Sequence, residues 1–137
     1  QACAEPRGDE SGTWITHDMI DAYGRLHSMG YAHSVEVWRD NDLAGGIYGL
    51  AIGSVFFGES MFSRQTDGSK IALVALCKLL AGWNFGLLDC QVGNPHLYRM
   101  GAEDISRREF ELRLAELIPS RHRTEPWRTS ADFDRRW

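Results

Sequence analysis

Ten successive residues, Ile71-Ala72-Leu73-Val74-Ala75-Leu76-Cys77-Lys78-Leu79-Leu80, carry one charge among them and run between Ser69 and Gly82. That run constrains the fold more than any other part of the chain. Its length and its bounding residues predict a helix, with Ser69 as N-cap and Gly82 as the stop. A helix apolar nearly all round is expected to be buried on most sides. The next segment, Gly86 through Gln91, reads as a strand. A chain that returns to a sheet through a helix makes a parallel crossover, right-handed by default.

Ahead of this unit the periods are those of strands. Ser34-Val35-Glu36-Val37-Trp38 alternates, Asp40-Asn41-Asp42 is a turn, and a second strand runs from Leu43 to Ile52. Gly53-Ser54 then turns into Val55-Phe56-Phe57, which completes an antiparallel meander. Thr16 caps a first helix through Met19, Ile20, Tyr23, Leu26 and His27, which stops at Met29-Gly30. Ser106 caps a last amphipathic helix holding Phe110, Leu112, Leu114, Leu117 and Ile118, and Pro119 ends it. The fold class is therefore α/β, of the α+β kind: a mixed, mainly antiparallel sheet flanked by helices. With 137 residues, 43% of them hydrophobic, the chain suits one domain over 1–137 with a core of its own. Residues 1–12 read as a lead-in, and 119–137 as a tail bearing arginine and tryptophan whose conformation the sequence does not give.

Two segments carry chemistry. Phe57-Gly58-Glu59-Ser60-Met61-Phe62-Ser63-Arg64 and Leu88-Asp89-Cys90-Gln91 read as glycine-hinged turns that place charged and amide groups between apolar strands. Beside Leu87 and Leu88, the Asp89 carboxylate needs hydrogen bonds or a shifted pKa. Gln91, two residues on, is expected on the same face of an extended strand, so the two side chains act together. Asn94, in the Gly93-Asn94-Pro95 turn, either aims its amide NH2 back at this site or only builds the turn. Glu59 either meets a substrate cation or hydroxyl, or pairs with Arg64. Glu36 is expected to face solvent. Cys3, Cys77 and Cys90 are an odd number with no CxxC or His-rich companion, which indicates neither a disulfide framework nor a metal site. They read as reduced, mostly packed thiols. No stretch approaches the roughly 20 apolar residues of a membrane helix, and no signal peptide is visible. A soluble, cytosolic protein with no membrane partner is expected.

Several strings resemble, in order, those of leucyl/phenylalanyl-tRNA–protein transferases: Gly12 through Thr16, Ala32 through Trp38, Leu43 through Gly49, Phe57 through Arg64, Ser69-Lys70, Asp89-Cys90-Gln91 and Leu97 through Ala102. The likeness runs from Cys3 to about Leu117. It implies an acetyltransferase (GNAT)-like catalytic domain, working as a monomer without a cofactor. The implied reaction moves Leu, Phe or Met from aminoacyl-tRNA to a protein or peptide with an N-terminal Arg or Lys, forming a peptide bond that tags the acceptor for N-end rule degradation. By resemblance the catalytic residues are Asp89, Gln91 and Asn94: the Gln91 amide oxygen, polarised by Asp89, receives or orients the amine, and Asn94 holds the oxyanion. Trp14, Phe56, Met61, Leu73, Leu76, Leu80 and Leu88 match the family's hydrophobic pocket, and Gly58 and Glu59 are the further expected substrate-binding residues. The resemblance also implies an N-terminal domain ahead of Cys3 that is absent here.

The net charge of −4 fits that absence, since a protein gripping tRNA through its phosphates shows a basic surface. Two other functions compete. A non-catalytic tRNA- or peptide-binding module of the same family would keep the site without turnover. An acyl-CoA N-acetyltransferase would cradle pyrophosphate at a glycine-rich turn entering a helix, but Arg64-Gln65-Thr66-Asp67-Gly68-Ser69 offers one glycine and an opposing Asp67.

Overall fold

The computed structural model describes residues 1–5, 15–120 and 127. Its sheet has four strands in the order β1-β2-β3-β4: β1 (Ala32–Arg39), β2 (Asp42–Ile52), β3 (Val55–Ser63) and β4 (Leu87–Asp89). The first three form the expected meander. Asp40 and Asn41 join β1 to β2 at φ 50° and 73°, the pair of left-handed residues that a two-residue hairpin favours because its twist matches the strands. β4 then pairs with β3 in parallel, Val55 opposite Leu87 and Phe57 opposite Asp89. The crossover is α2 (Gly68–Gly82).

Two helices lie on opposite faces of the sheet. Ile47 packs into a core with α2, whereas its neighbour Tyr48 meets Tyr23 of α1 (His17–Ser28) edge to face at 5.2 Å; consecutive strand residues point to opposite sides. Thr16 caps α1 as expected, its hydroxyl accepting from Met19 N–H. The core joins Val35, Ile47, Ala51 and Phe56 of the sheet to Leu73, Leu76, Leu79 and Leu80 of α2. Burial of each such side chain contributes about 1.5–3 kcal/mol. The start of α2 meets β2 backbone to backbone, since a Cβ on Gly45 would overlap Gly68.

α2 departs from expectation in two respects. Only one side is buried: Ile71, Val74 and Cys77 are exposed, and the thiols are therefore not all packed. Its cap is not Ser69. Asp67 precedes the helix in left-handed backbone (φ 63°) and makes no side-chain cap bond. Instead Ser63, at the end of β3, accepts the Ser69 N–H at 2.8 Å. Two further helices follow, α3 (Pro95–Arg99), which begins at the last residue of the expected Gly93-Asn94-Pro95 turn, and α4 (Arg107–Leu117), capped by Ser106 as expected. No helix among the described residues is long and apolar enough to cross a membrane.

Candidate functional site

The segment from Phe57 to Arg64 is not a hinged turn. β3 continues to Ser63, and Met61 lies in it opposite Ile47. The pairing nevertheless slips: Tyr48 faces Ser60 and Gly49 faces Gly58, so Glu59 is an extra residue in a β-bulge. A bulge re-aims a side chain out of the regular alternation. The displaced side chain here is a carboxylate.

β4 is shorter than its sequence suggests. Ladder pairing with β3 stops at Phe57 and Asp89, and Gln91 leaves the strand in left-handed backbone, φ 62°. The alternation argument for Asp89 and Gln91 therefore fails, yet the two groups are still joined. Asp89 Oδ1 accepts the Gln91 backbone N–H at 2.8 Å. The Gln91 side-chain NH2 crosses to β3, donating to the Gly58 carbonyl at 2.7 Å and toward Glu59 Oε1 at 3.5 Å. Asp89 thus fixes the turn, while Gly58 and Glu59 hold the amide nitrogen. Among the described residues no donor meets the Gln91 amide oxygen.

Glu59 has a second partner that the sequence did not disclose. Tyr23, on α1, is hydrogen-bonded to its carboxylate; burial first, then that bond and the Glu59 charge, push the phenol well above its ordinary range. Tyr48 is pushed up to about 12, first by burial, then by the nearby Cys3 and Glu59. Periodicity placed Tyr23 on the packed face of α1 but said nothing of where its hydroxyl pointed. Arg64 does not pair with Glu59; it forms an ion pair with Glu5. Glu36 is exposed as expected, accepting from Ser34 and Trp38 on its own strand.

Asn94 caps α3. Its Oδ1 accepts from His96 and Leu97 N–H, each at 3.0 Å, so the turn-building role is real. The same two bonds orient the amide and leave Nδ2 to donate elsewhere.

A cavity of about 1010 Å³ opens between α2, the end of β4, and α3 with α4. Leu73 of α2 and Leu88, Asp89 and Gln91 at the end of β4 line it, whereas Gly58, Glu59 and Asn94 do not. Phe56, Leu76 and Leu80 lie in the core, and Met61 packs against that core part-buried. Trp14 lies outside the described residues, as does the tail apart from Pro119, Ser120 and Trp127. Walls that sequence reading missed include Cys77 and Cys90. Desolvation raises both thiols above their ordinary value, that of Cys77 although the residue as a whole is exposed, and Cys90 is raised further by Cys77 and Asp89. Both stay protonated at neutral pH, so neither is a thiolate nucleophile.

The family model of leucyl/phenylalanyl-tRNA protein transferase matches residues 1–115. The chain is similar to proteins named leucyl/phenylalanyl-tRNA–protein transferase from Thiobacillus denitrificans (57% identical; 93% of this chain, 56% of the relative) and Nitrosomonas europaea (58%; 90% and 53%). It also resembles the one from Hahella chejuensis (52%; 96% and 56%). The chain spans about half the length of the curated relatives it matches. The ordered strings that carried the resemblance, the sheet that holds them and these matches agree: the chain belongs to the leucyl/phenylalanyl-tRNA protein transferase family.

Proposed function

We propose that this segment carries an acyl-transfer site that moves Leu, Phe or Met from the ester of an aminoacyl-tRNA to the N-terminal amine of a protein beginning with Arg or Lys. The observation that carries the reading is Gln91 just past the end of β4, its backbone N–H held by Asp89 and its side-chain NH2 crossing to Gly58 and Glu59 of β3. The acetyltransferase-like cast of the domain belongs to the same proposal, supported by a mixed sheet whose parallel pair ends at Asp89, beside the site.

An aminoacyl ester is already reactive, so the chain's task is placement. The acceptor amine arrives as an ammonium and must lose one proton to solvent before it attacks. The Gln91 oxygen is an acceptor for the remaining N–H bonds. Donation from its NH2 to Gly58 and Glu59 leaves that oxygen richer in electron density. An amide is too weak a base to take the proton outright, and holding amine and ester in attack geometry lowers the barrier by several kcal/mol. Attack turns the ester carbonyl into a tetrahedral oxyanion, for which Asn94 Nδ2 is the donor; losing one such donor typically costs about 2.7–4 kcal/mol. Collapse forms the peptide bond, and the departing ribose oxygen takes the second proton from nitrogen. Glu59, hydrogen-bonded by Tyr23, is the group we assign to the donor's amino group, a ribose hydroxyl or the acceptor's Arg or Lys side chain. Leu73 and Leu88 give the donor side chain apolar wall.

The acetyl-transfer alternative has little support at α2. The Ser69 N–H is already taken by Ser63, and Asp67 stands at the helix entrance. The test is incubation of the chain with radiolabelled Leu-tRNA and a peptide starting with Arg. Labelled peptide is expected; a chain that binds both substrates but yields none would support the non-catalytic module instead.

A further inference from the structure

Tyr98 stands one turn after Asn94 on α3, and its backbone N–H donates to the Asn94 carbonyl. Its phenol donates to Asp104, lying 3.1 and 3.0 Å from the two carboxylate oxygens. Asp104 comes from the stretch between α3 and α4. The same hydroxyl fills the space where a Cβ on Gly93 would stand, and Asp104 Oδ1 lies 3.2 Å from that point. Gly93, Tyr98 and Asp104 line the same cavity as Asp89 and Gln91.

We propose that Tyr98 and Asp104 clamp the Gly93-Asn94 turn and thereby position the Asn94 amide against the reacting ester carbonyl. The inference rests on the acyl-transfer reading above and adds the residues that hold its oxyanion donor in place. The turn has little packing to fix it, since Val92 beside it is 75% exposed. Tyr98 is itself 45% exposed, so burial does not pin its ring. The bond to Asp104 does, and it sets the hydroxyl against the Gly93 backbone. A donor serves a transition state only when held to within about 0.5 Å of its productive place. A side chain at position 93 would push the Tyr98 hydroxyl off this turn.

The test compares Tyr98→Phe, Asp104→Ala and Asp104→Asn. The first two are expected to lower kcat about twofold to tenfold, the rate equivalent of one net hydrogen bond, with KM for the aminoacyl donor unchanged. Asp104→Asn keeps an acceptor oxygen for the phenol and should recover most of the loss. The Tyr98→Phe/Asp104→Ala double variant should be no worse than either single one. Hydrogen exchange supplies a readout independent of turnover: amides of residues 91–97 should exchange faster in Tyr98→Phe and Asp104→Ala, with α2 unchanged. Unchanged exchange there, or a kcat equal to wild type in both variants, would overturn the clamp. A wild-type chain that transfers nothing, while exchange responds as expected, would overturn the acyl-transfer reading and leave the clamp on the turn standing.

Discussion

Replacing Gln91 by glycine and, separately, by alanine separates backbone strain from chemistry at one position. Gln91 sits at φ 62°, where an L-residue with a Cβ costs about 1–2 kcal/mol and glycine does not. Glycine also gains unfolded-state entropy, which lowers the benefit by about 0.4–1 kcal/mol relative to alanine. The difference leaves Gln91→Gly more stable than Gln91→Ala by about 0.5–1 kcal/mol. Both variants lose the bonds from the side-chain amide to Gly58 and Glu59. Those bonds are exposed, so their loss costs the two variants the same small amount. Urea unfolding with a common m-value reads the difference as a shift in midpoint. Transfer should fall at least about tenfold in both, because neither can accept from the amine, and by equal factors. An alanine variant as stable as the glycine one would show that the turn does not hold this backbone in solution. Equal stability ordering but undiminished transfer would refute the role given to the amide oxygen.

Other expectations follow from the same structure. Burial pushes Tyr48 up to about 12, and Tyr23 is raised in the same direction. Folding therefore favours the protonated phenols, and their contribution is intact below pH 10 and lost as pH climbs toward 12; a pH series of denaturation midpoints that is flat across that window would contradict it. Gly45→Ala forces the start of α2 off β2 and should cost about 1–3 kcal/mol or more, read as a lowered Tm; an unchanged Tm would mean the two backbones do not touch. Trp127 stacks on His33 at 4.2 Å and packs against Phe56, Trp83 and Phe85. Trp127→Ala should cost about 3 kcal/mol. Trp127→Phe should cost less, because the buried indole N–H has no acceptor among the described residues; if the two variants lose the same stability, the aromatic packing is not what holds this residue.

What the sequence disclosed was local. Thr16 and Ser106 announce their helices because an N-cap hydroxyl bonds within three residues, and Asp40-Asn41 announces a hairpin because few residue pairs tolerate two positive φ values. The parallel crossover followed from an apolar helix set between strands. What it hid was set by partners distant in the chain. Gly58-Glu59-Ser60 has the composition of a turn, and only pairing with Gly45 to Gly49 makes it a bulged strand. Ser69 looks like a cap, but the hydroxyl that bonds its N–H comes from Ser63, placed there by the end of β3. Alternation would have set the Asp89 carboxylate beside the Gln91 side chain, whereas a left-handed residue turns the Gln91 backbone N–H onto Asp89 and its side-chain amide across to Gly58. Tyr23 had no signal at all, because a helical period shows which face packs and not which carboxylate a phenol finds there. Leu76, Leu80 and Phe56 show the converse, since apolar residues matched to a pocket are also what a core requires.

The most direct test of the account is single-turnover transfer of Leu from Leu-tRNA to an Arg-starting peptide, measured for the wild-type chain and for Asp89→Ala at equal, saturating donor. Asp89 fixes the turn that presents Gln91, so the variant should keep its circular dichroism and lose at least about tenfold in rate, in keeping with the loss of one charge-assisted hydrogen bond and of attack geometry. Transfer by Asp89→Ala at the wild-type rate would contradict the claim that the bridged Asp89 and Gln91 unit places the amine.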